Sequence, residues 1–146
     1  MSGLLIDDSF PGVISAKTHG IIDYIHAGTN FAVAALFRRT NKRASGAAFA
    51  LGVGVLANAL MTDYPLGVFR VYSLKVHGAL DYGVAASCAA LPRLLGIEDD
   101  PESTYFNLQG AGETMIATLS DCYNDDSGSR RDRRGMGRVS QGRRAA

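Results

Sequence analysis

A short segment of this chain occurs twice in the sequence, and this internal repeat constrains the fold more than any other feature. Residues 13–24 and 71–82 are identical at seven of twelve positions. The shift that places residue 13 on residue 71, here called the repeat offset, also aligns Gly52 and Gly54 with Gly110 and Gly112, and Thr62-Asp63 with Ser120-Asp121. One offset shared by separate motifs, without gaps, indicates a duplication. The chain then divides into an N-terminal segment 1–12, repeat 1 at 13–63, a link at 64–70, repeat 2 at 71–122 and a basic tail at 123–146.

Each repeat predicts two helices and no sheet. We expect helices at about 17–37 and 44–61 in repeat 1, and at about 75–95 and 104–119 in repeat 2. Few stretches alternate with a period of two, which is the pattern of a half-buried strand. Pro65 and Gly67 predict a turn in the link, and Pro92, Gly96 and Pro101 are expected to break repeat 2 between its two helices. The fold class is therefore all-α.

The distribution of charge favours a membrane over water. Residues 44–62 contain no charged side chain, and a spanning helix needs about twenty mainly apolar residues. Small residues crowd this helix, which suits close helix packing in lipid. Elsewhere most charges flank the apolar stretches. We expect a four-helix transmembrane bundle of two parallel helical hairpins about a pseudo-twofold axis. The alternative is a soluble four-helix bundle with one buried central helix.

The motif residues of both repeats fall at helix ends that share one face of the bundle. Asp23 and Asp81 lie six residues beyond Lys17 and Lys75, about 9 Å along each helix. His19/Asp23 and His77/Asp81 are i,i+4 pairs. We expect a structural polar clasp, or alternatively an ion site, formed by Lys17, His19, Asp23, Asp63, Lys75, His77, Asp81 and Asp121.

The same residues allow two cofactor alternatives. No cofactor is expected for a structural clasp, and no residue is expected to be catalytic. Imidazole together with carboxylate could hold a divalent metal between the repeats. A haem held by His19 and His77 is the other alternative.

Five further polar residues lie within the predicted spans, namely His26, Asn30, Asn58, Gln109 and Glu113. Glu113 aligns with Val55, so the repeat does not account for it. We expect a neutral Glu113 that is hydrogen-bonded to Asn30, His26 or Asn58. The alternative is proton or cation handling, the usual role of a carboxylate inside a membrane.

The tail differs in composition from the rest of the chain. Residues 122–146 carry seven Arg and three Asp, whereas residues 1–121 carry eight Lys or Arg and eleven Asp or Glu. A solvated tail is expected, and contact of its arginines with anionic lipid is the alternative. Nucleic acid is not an expected partner, because no aromatic residue is interleaved among them.

The paired Lys-x-His-Gly-x-x-Asp-Tyr motifs, the link Thr62-Asp-Tyr-Pro-Leu-Gly67 and the segment 92–97 resemble bacterial SPW-repeat membrane proteins. The chain has no Trp, and Leu91-Pro92-Arg93 stands where the second Ser-Pro-Trp is expected. The resemblance implies a fold and a location, that of a multi-pass protein of the bacterial inner membrane, and the family has no established activity. We expect no enzymatic activity, because the sequence shows no nucleophile, cofactor loop or catalytic triad. Counts of Lys and Arg predict cytoplasmic termini. We expect a structural or accessory subunit of a larger membrane assembly; the alternative is a small proton-, cation- or metal-handling membrane protein.

Overall fold

The structure is a computed structural model that describes residues 13–120. The predicted segment 1–12, the tail 123–146, Asp121 and Cys122 lie outside the described residues. The expectations for the tail therefore stay predictions.

Four long helices form nearly all of the described chain. They are α1 (Ala16–Phe37), α2 (Lys42–Met61), α3 (Leu74–Leu95) and α4 (Glu102–Leu119). The all-α class and the helix positions agree with the sequence prediction, except that each helix begins one or two residues earlier. Ser15 caps α1 by accepting a hydrogen bond from the Thr18 amide, and Asn41 caps α2 in the same way.

Repeat 2 breaks at Gly96 and Pro101 as expected, but Pro92 lies inside α3, so its part in the break was predicted wrongly. α3 continues through Pro92 to Leu95 and is capped by Gly96, whose φ of 63° lies in the left-handed region that favours glycine. A proline inside a helix removes its own backbone donor. Because Pro92 lies one turn before the helix ends, the helix loses little by containing it.

Two very short parallel pairings close the end of the bundle where α1 and α3 begin. β1 (Thr62–Asp63) pairs with β2 (Tyr72–Ser73), with Thr62 opposite Tyr72. Ile14 forms an isolated parallel bridge with Ser120. The repeat offset relates these two pairings to each other, so the end of each repeat is joined to the start of the other.

The helices pack as two hairpins, α1 with α2 and α3 with α4, and α2 also packs against α3. At the end of the bundle away from β1 and β2, an apolar core contains Ala34, Ala44, Ala48, Ile97 and Phe106. The buried side chains at the opposite end are mainly polar. The architecture therefore places a polar centre beneath the segment that links the repeats.

Among the described helices, only α2 is long and apolar enough to cross a bilayer by length and composition. One third of its most apolar stretch is buried inside the bundle. The other three helices do not meet this criterion.

Candidate functional site

Two buried imidazoles meet between the repeats. His19 and His77 are each the fourth residue of their helix, and each is 1% exposed. Their Nε2 atoms lie 2.9 Å apart, and the rings are nearly perpendicular. The contact joins α1 to α3 at the polar end of the bundle.

Two buried carboxylates flank this pair of imidazoles. Asp81 Oδ2 lies 3.2 Å from both Nε2 atoms. In Asp23, the Oδ1 atom lies 3.4 Å from Nε2 of His19, and the Oδ2 atom lies 3.3 Å from Nε2 of His77. We call His19, Asp23, His77 and Asp81 the central cluster. The i,i+4 spacing within each helix brings each carboxylate onto the same face as its histidine.

Two hydroxyl groups fix the orientation of the imidazoles. Thr62 Oγ1 lies 2.6 Å from Nδ1 of His77, and Ser120 Oγ lies 2.6 Å from Nδ1 of His19. Each hydroxyl also donates to the backbone carbonyl four residues earlier, at 2.6 Å. A hydroxyl has one hydrogen and a carbonyl can only accept. Both hydroxyls must therefore accept from Nδ1–H, and the neutral tautomer of each ring leaves a lone pair on Nε2.

These tautomers give the central cluster an excess of electron-pair donors. The two Nε2 lone pairs and the two carboxylates face one another in the buried interior of the bundle. Asp81 Oδ2 has no hydrogen-bond partner although it is buried. Such a centre needs a positive charge, because uncompensated buried carboxylates are strongly destabilising. A proton shared by the two Nε2 atoms or a bound cation would supply it.

The two carboxylates are held by different groups. Asn58 Nδ2 donates to Asp81 Oδ1 at 2.9 Å, and Tyr72 donates to Asn58 Oδ1 at 2.6 Å. The Tyr64 hydroxyl donates to Asp23 Oδ2 at 3.3 Å. Burial, and then the nearby Asp23 carboxylate, raise the pKa of Tyr64 above its ordinary value. Tyr64 therefore remains a donor throughout the neutral range.

The link between the repeats covers the central cluster. The Tyr64 ring is 3% exposed and packs against the His77 ring and against Gly20 of α1. A Cβ at Gly20 would overlap this ring, and a Cβ at Gly67 would overlap the Thr62 carbonyl. Both glycines therefore permit the close approach of the link to the helices.

The three other members of the predicted polar clasp that the structure describes lie outside the central cluster. Lys17, Asp63 and Lys75 are exposed at the same end of the bundle. Asp63 lies 3.8 Å from Arg70 on the surface. These charged side chains lie at the surface because burial of a charge is costly unless the charge is paired.

His26 and Glu113 form a second polar pair deeper in the bundle. His26 Nδ1 lies 2.9 Å from Glu113 Oε2, and the two side chains are 10% and 8% exposed. His26 Nε2 is buried without a hydrogen-bond partner. Both residues, together with Gln109, line a groove of about 200 Å³ between α1 and α4. Glu113 was expected to contact Asn30, His26 or Asn58, and in the structure it contacts His26. Asn30 instead accepts a hydrogen bond from Tyr105.

Sequence reasoning missed the roles of Tyr64 and Tyr72. Tyr64 lies in the link motif that carried the family resemblance, but no spacing rule predicts that a loop residue folds back onto a helix. Tyr72 aligns with Ile14 in the repeat. This substitution of a polar side chain for an apolar one is the signal in the sequence that could have indicated a special role for Tyr72.

The contact between the two imidazoles also bears on the haem alternative. With Nε2 atoms 2.9 Å apart, this arrangement leaves no room for a haem and its iron between the rings.

Comparisons with protein families, with curated proteins and with solved structures give no match to this chain.

Proposed function

We propose that this protein is a non-catalytic membrane protein of four spanning helices, and that it is a structural or accessory subunit of a larger assembly. The two hairpins are parallel repeats about a pseudo-twofold axis, and the contacts that recur at the repeat offset support this symmetry. The proposal rests mainly on the outer surface of the bundle.

The middle parts of the four helices bury their ionisable side chains and expose large apolar side chains. No exposed side chain of α1 between Lys17 and Arg38, or of α3 between Lys75 and Arg93, is Asp, Glu, Lys, Arg or His. The same holds for α2 after Arg43 and for α4 after Glu102. Large apolar side chains occupy this surface instead, among them Ile21, Ile25, Leu36, Phe49, Val53, Leu80, Leu108 and Met115. A water-soluble helix is expected to show the opposite pattern.

The length of the uncharged surface matches a bilayer. From Lys17 to Arg38 and from Lys75 to Arg93, the helix rise gives about 31 and about 27 Å. The hydrocarbon core of a bilayer is about 30 Å thick. Exposed charges gather at both ends of the bundle, as expected for side chains that reach the lipid headgroups.

Alkaline extraction tests membrane integration. Washing membranes with carbonate at high pH is expected to leave the protein in the pellet, and detergent is expected to release it. Recovery in the carbonate supernatant would refute the membrane proposal and favour the soluble bundle.

The outer face of α2 supports a partner. Gly46, Ala50 and Gly54 are exposed at intervals of four residues, a spacing that allows close approach of another membrane helix. We expect a stable partner to co-purify in mild detergent and to be lost in Gly54→Leu. A wild-type protein that purifies alone under these conditions would contradict the accessory role.

A second candidate function is proton handling at the groove between α1 and α4. The unpartnered His26 Nε2 favours it, since a buried imidazole beside a carboxylate can exchange a proton with a ligand in the groove. Vesicles containing the protein are expected to show proton flux that Glu113→Gln abolishes. No flux in wild-type vesicles would rule this function out.

A further inference from the structure

We propose that the central cluster is a binding site for one divalent transition-metal ion, of which Zn²⁺ is the best candidate. The ligands are Nε2 of His19 and His77 and a carboxylate oxygen from Asp23 and Asp81. This inference does not depend on the membrane proposal, because all four residues lie inside the bundle in either setting.

The directions of the donor atoms point to a metal. Both Nδ1 atoms donate to hydroxyls that are themselves committed to backbone carbonyls. Hydrogen bonding at the outer nitrogen is the arrangement that orients metal-binding histidines. It leaves a lone pair on Nε2 of each ring, and both Nε2 atoms point into the same space.

The distances also suit a metal. The ligand atoms of His19, Asp23 and His77 all lie within 4.8 Å of one another. Asp81 Oδ2 lies 3.2 Å from both Nε2 atoms, whereas Asp23 has Oδ1 3.4 Å from one Nε2 atom and Oδ2 3.3 Å from the other; all four distances exceed the usual hydrogen bond of about 2.9 Å. Ligands about 2.0–2.1 Å from a tetrahedral Zn²⁺ are about 3.3–3.4 Å apart. The two Nε2 atoms, at 2.9 Å, would separate by about 0.4 Å to reach this geometry.

The charges provide an independent argument. When neither Nε2 carries a proton, the two carboxylates and two neutral imidazoles have a total charge of −2, which one divalent ion neutralises. Asp81 Oδ2 is buried and has no hydrogen-bond partner, so it is available as a ligand. Nitrogen and oxygen donors without sulfur suit zinc and other divalent ions of the first transition series. Since α1 and α3 each supply one histidine and one aspartate, the ion would join the two repeats.

Metal analysis of the protein purified without a polyhistidine tag tests the proposal. We expect about one equivalent of Zn²⁺ per chain. After removal of the metal with a chelator, Co²⁺ is expected to bind at one equivalent and to give the visible absorption of a tetrahedral site. Wild-type protein that contains no metal and binds neither ion saturably would overturn the proposal.

Matched variants show where the ion binds. His77→Gln and Asp81→Asn are expected to lose the metal, whereas the surface variant Asp63→Asn is expected to keep it. Thr62→Val, which removes only the hydroxyl behind His77, is expected to weaken binding about 10- to 100-fold, and Thr29→Val on the outer face of α1 is its control. Metal retained in His77→Gln and Asp81→Asn would overturn the proposal.

If the ligand variants do not fold, the wild-type protein still decides the question. Chelation is expected to lower its melting temperature, and added Zn²⁺ is expected to restore it. An unchanged melting temperature after complete metal removal would show a proton-bridged cluster instead. Recovery in the carbonate supernatant would refute membrane integration alone, since metal content is measured equally well on a soluble protein.

Discussion

Four glycines at equivalent positions of the repeats provide a sharp test of the helix packing. Gly52 and Gly54 of α2 correspond to Gly110 and Gly112 of α4 at the repeat offset. A Cβ at Gly110 would lie 3.0 Å from the Ala85 carbonyl oxygen and 3.2 Å from Cys88 Cβ. A Cβ at Gly54 or Gly112 would meet nothing within 4 Å. The same substitution therefore has opposite consequences at neighbouring glycines of one helix.

The magnitudes follow from two competing effects. Replacing a helical glycine by alanine stabilises a helix by up to about 1 kcal/mol. Overpacking a close contact costs about 1–3 kcal/mol, and at Gly110 the obstruction includes backbone of α3 that cannot rotate away. We expect Gly112→Ala to be stabilising and Gly110→Ala to be destabilising, with a difference of about 1–3 kcal/mol between them.

The first repeat supplies an internal replicate. A Cβ at Gly52 would lie 2.8 Å from the Phe31 ring and 3.1 Å from Cβ of the buried Asn30. The half-buried Phe31 can move, so Gly52→Ala is expected to cost less than Gly110→Ala. Chemical denaturation followed by far-ultraviolet circular dichroism measures all four variants. Equal stabilities of Gly110→Ala and Gly112→Ala would show that α3 and α4 do not pack as described.

Three other perturbations have defined outcomes. Glu113→Gln and His26→Gln each leave a buried partner behind, and each is expected to destabilise the protein by up to about 3–5 kcal/mol. The double variant is expected to cost less than their sum in thermal unfolding, and additive losses would contradict the contact between the two side chains. Ser45→Ala removes the hydrogen bond from Ser45 Oγ to the Ala34 carbonyl and is expected to cost about 0.5–1.5 kcal/mol, with the exposed Ser87→Ala as a control of smaller effect. The folded state raises the pKa of Tyr64 and therefore favours the protonated phenol. This contribution to stability is complete below pH 10, the ordinary pKa of a tyrosine side chain, and is lost as the pH rises above that value. Tyr64→Phe is expected to reduce the fall in stability above pH 10, and an unchanged pH profile would argue against the buried position.

The repeat carried most of what could be predicted about the fold. The repeat offset places His19 with His77 and Asp23 with Asp81, and the i,i+4 spacing places each pair on one helix face. The helix ends followed from the same alignment. Pro92 was the exception, because the composition of a segment does not reveal whether packing tolerates one missing backbone donor near a helix end.

The surroundings of the central cluster could not be predicted because they depend on how the elements pack. Exchange between the repeats places Thr62 behind His77 and Ser120 behind His19, since the end of each repeat pairs with the start of the other. Sequence spacing shows that these hydroxyls recur, but not which imidazole each one contacts. In the same way, Lys17 and Lys75 belong to the repeated motif yet lie at the surface.

Differences between the repeats determine how firmly each carboxylate is held. Asn58 fixes Asp81 by a hydrogen bond of 2.9 Å, whereas the equivalent of Asn58 in the second repeat is Ile116, which has no side-chain donor for Asp23. Tyr64 from the link supplies a longer hydrogen bond of 3.3 Å instead. Asp81 Oδ2 is equidistant from both imidazoles, while Asp23 divides its two oxygens between them. Asp81 is therefore held by a shorter hydrogen bond from a helix of the bundle, whereas Asp23 is held by a longer one from the covering link.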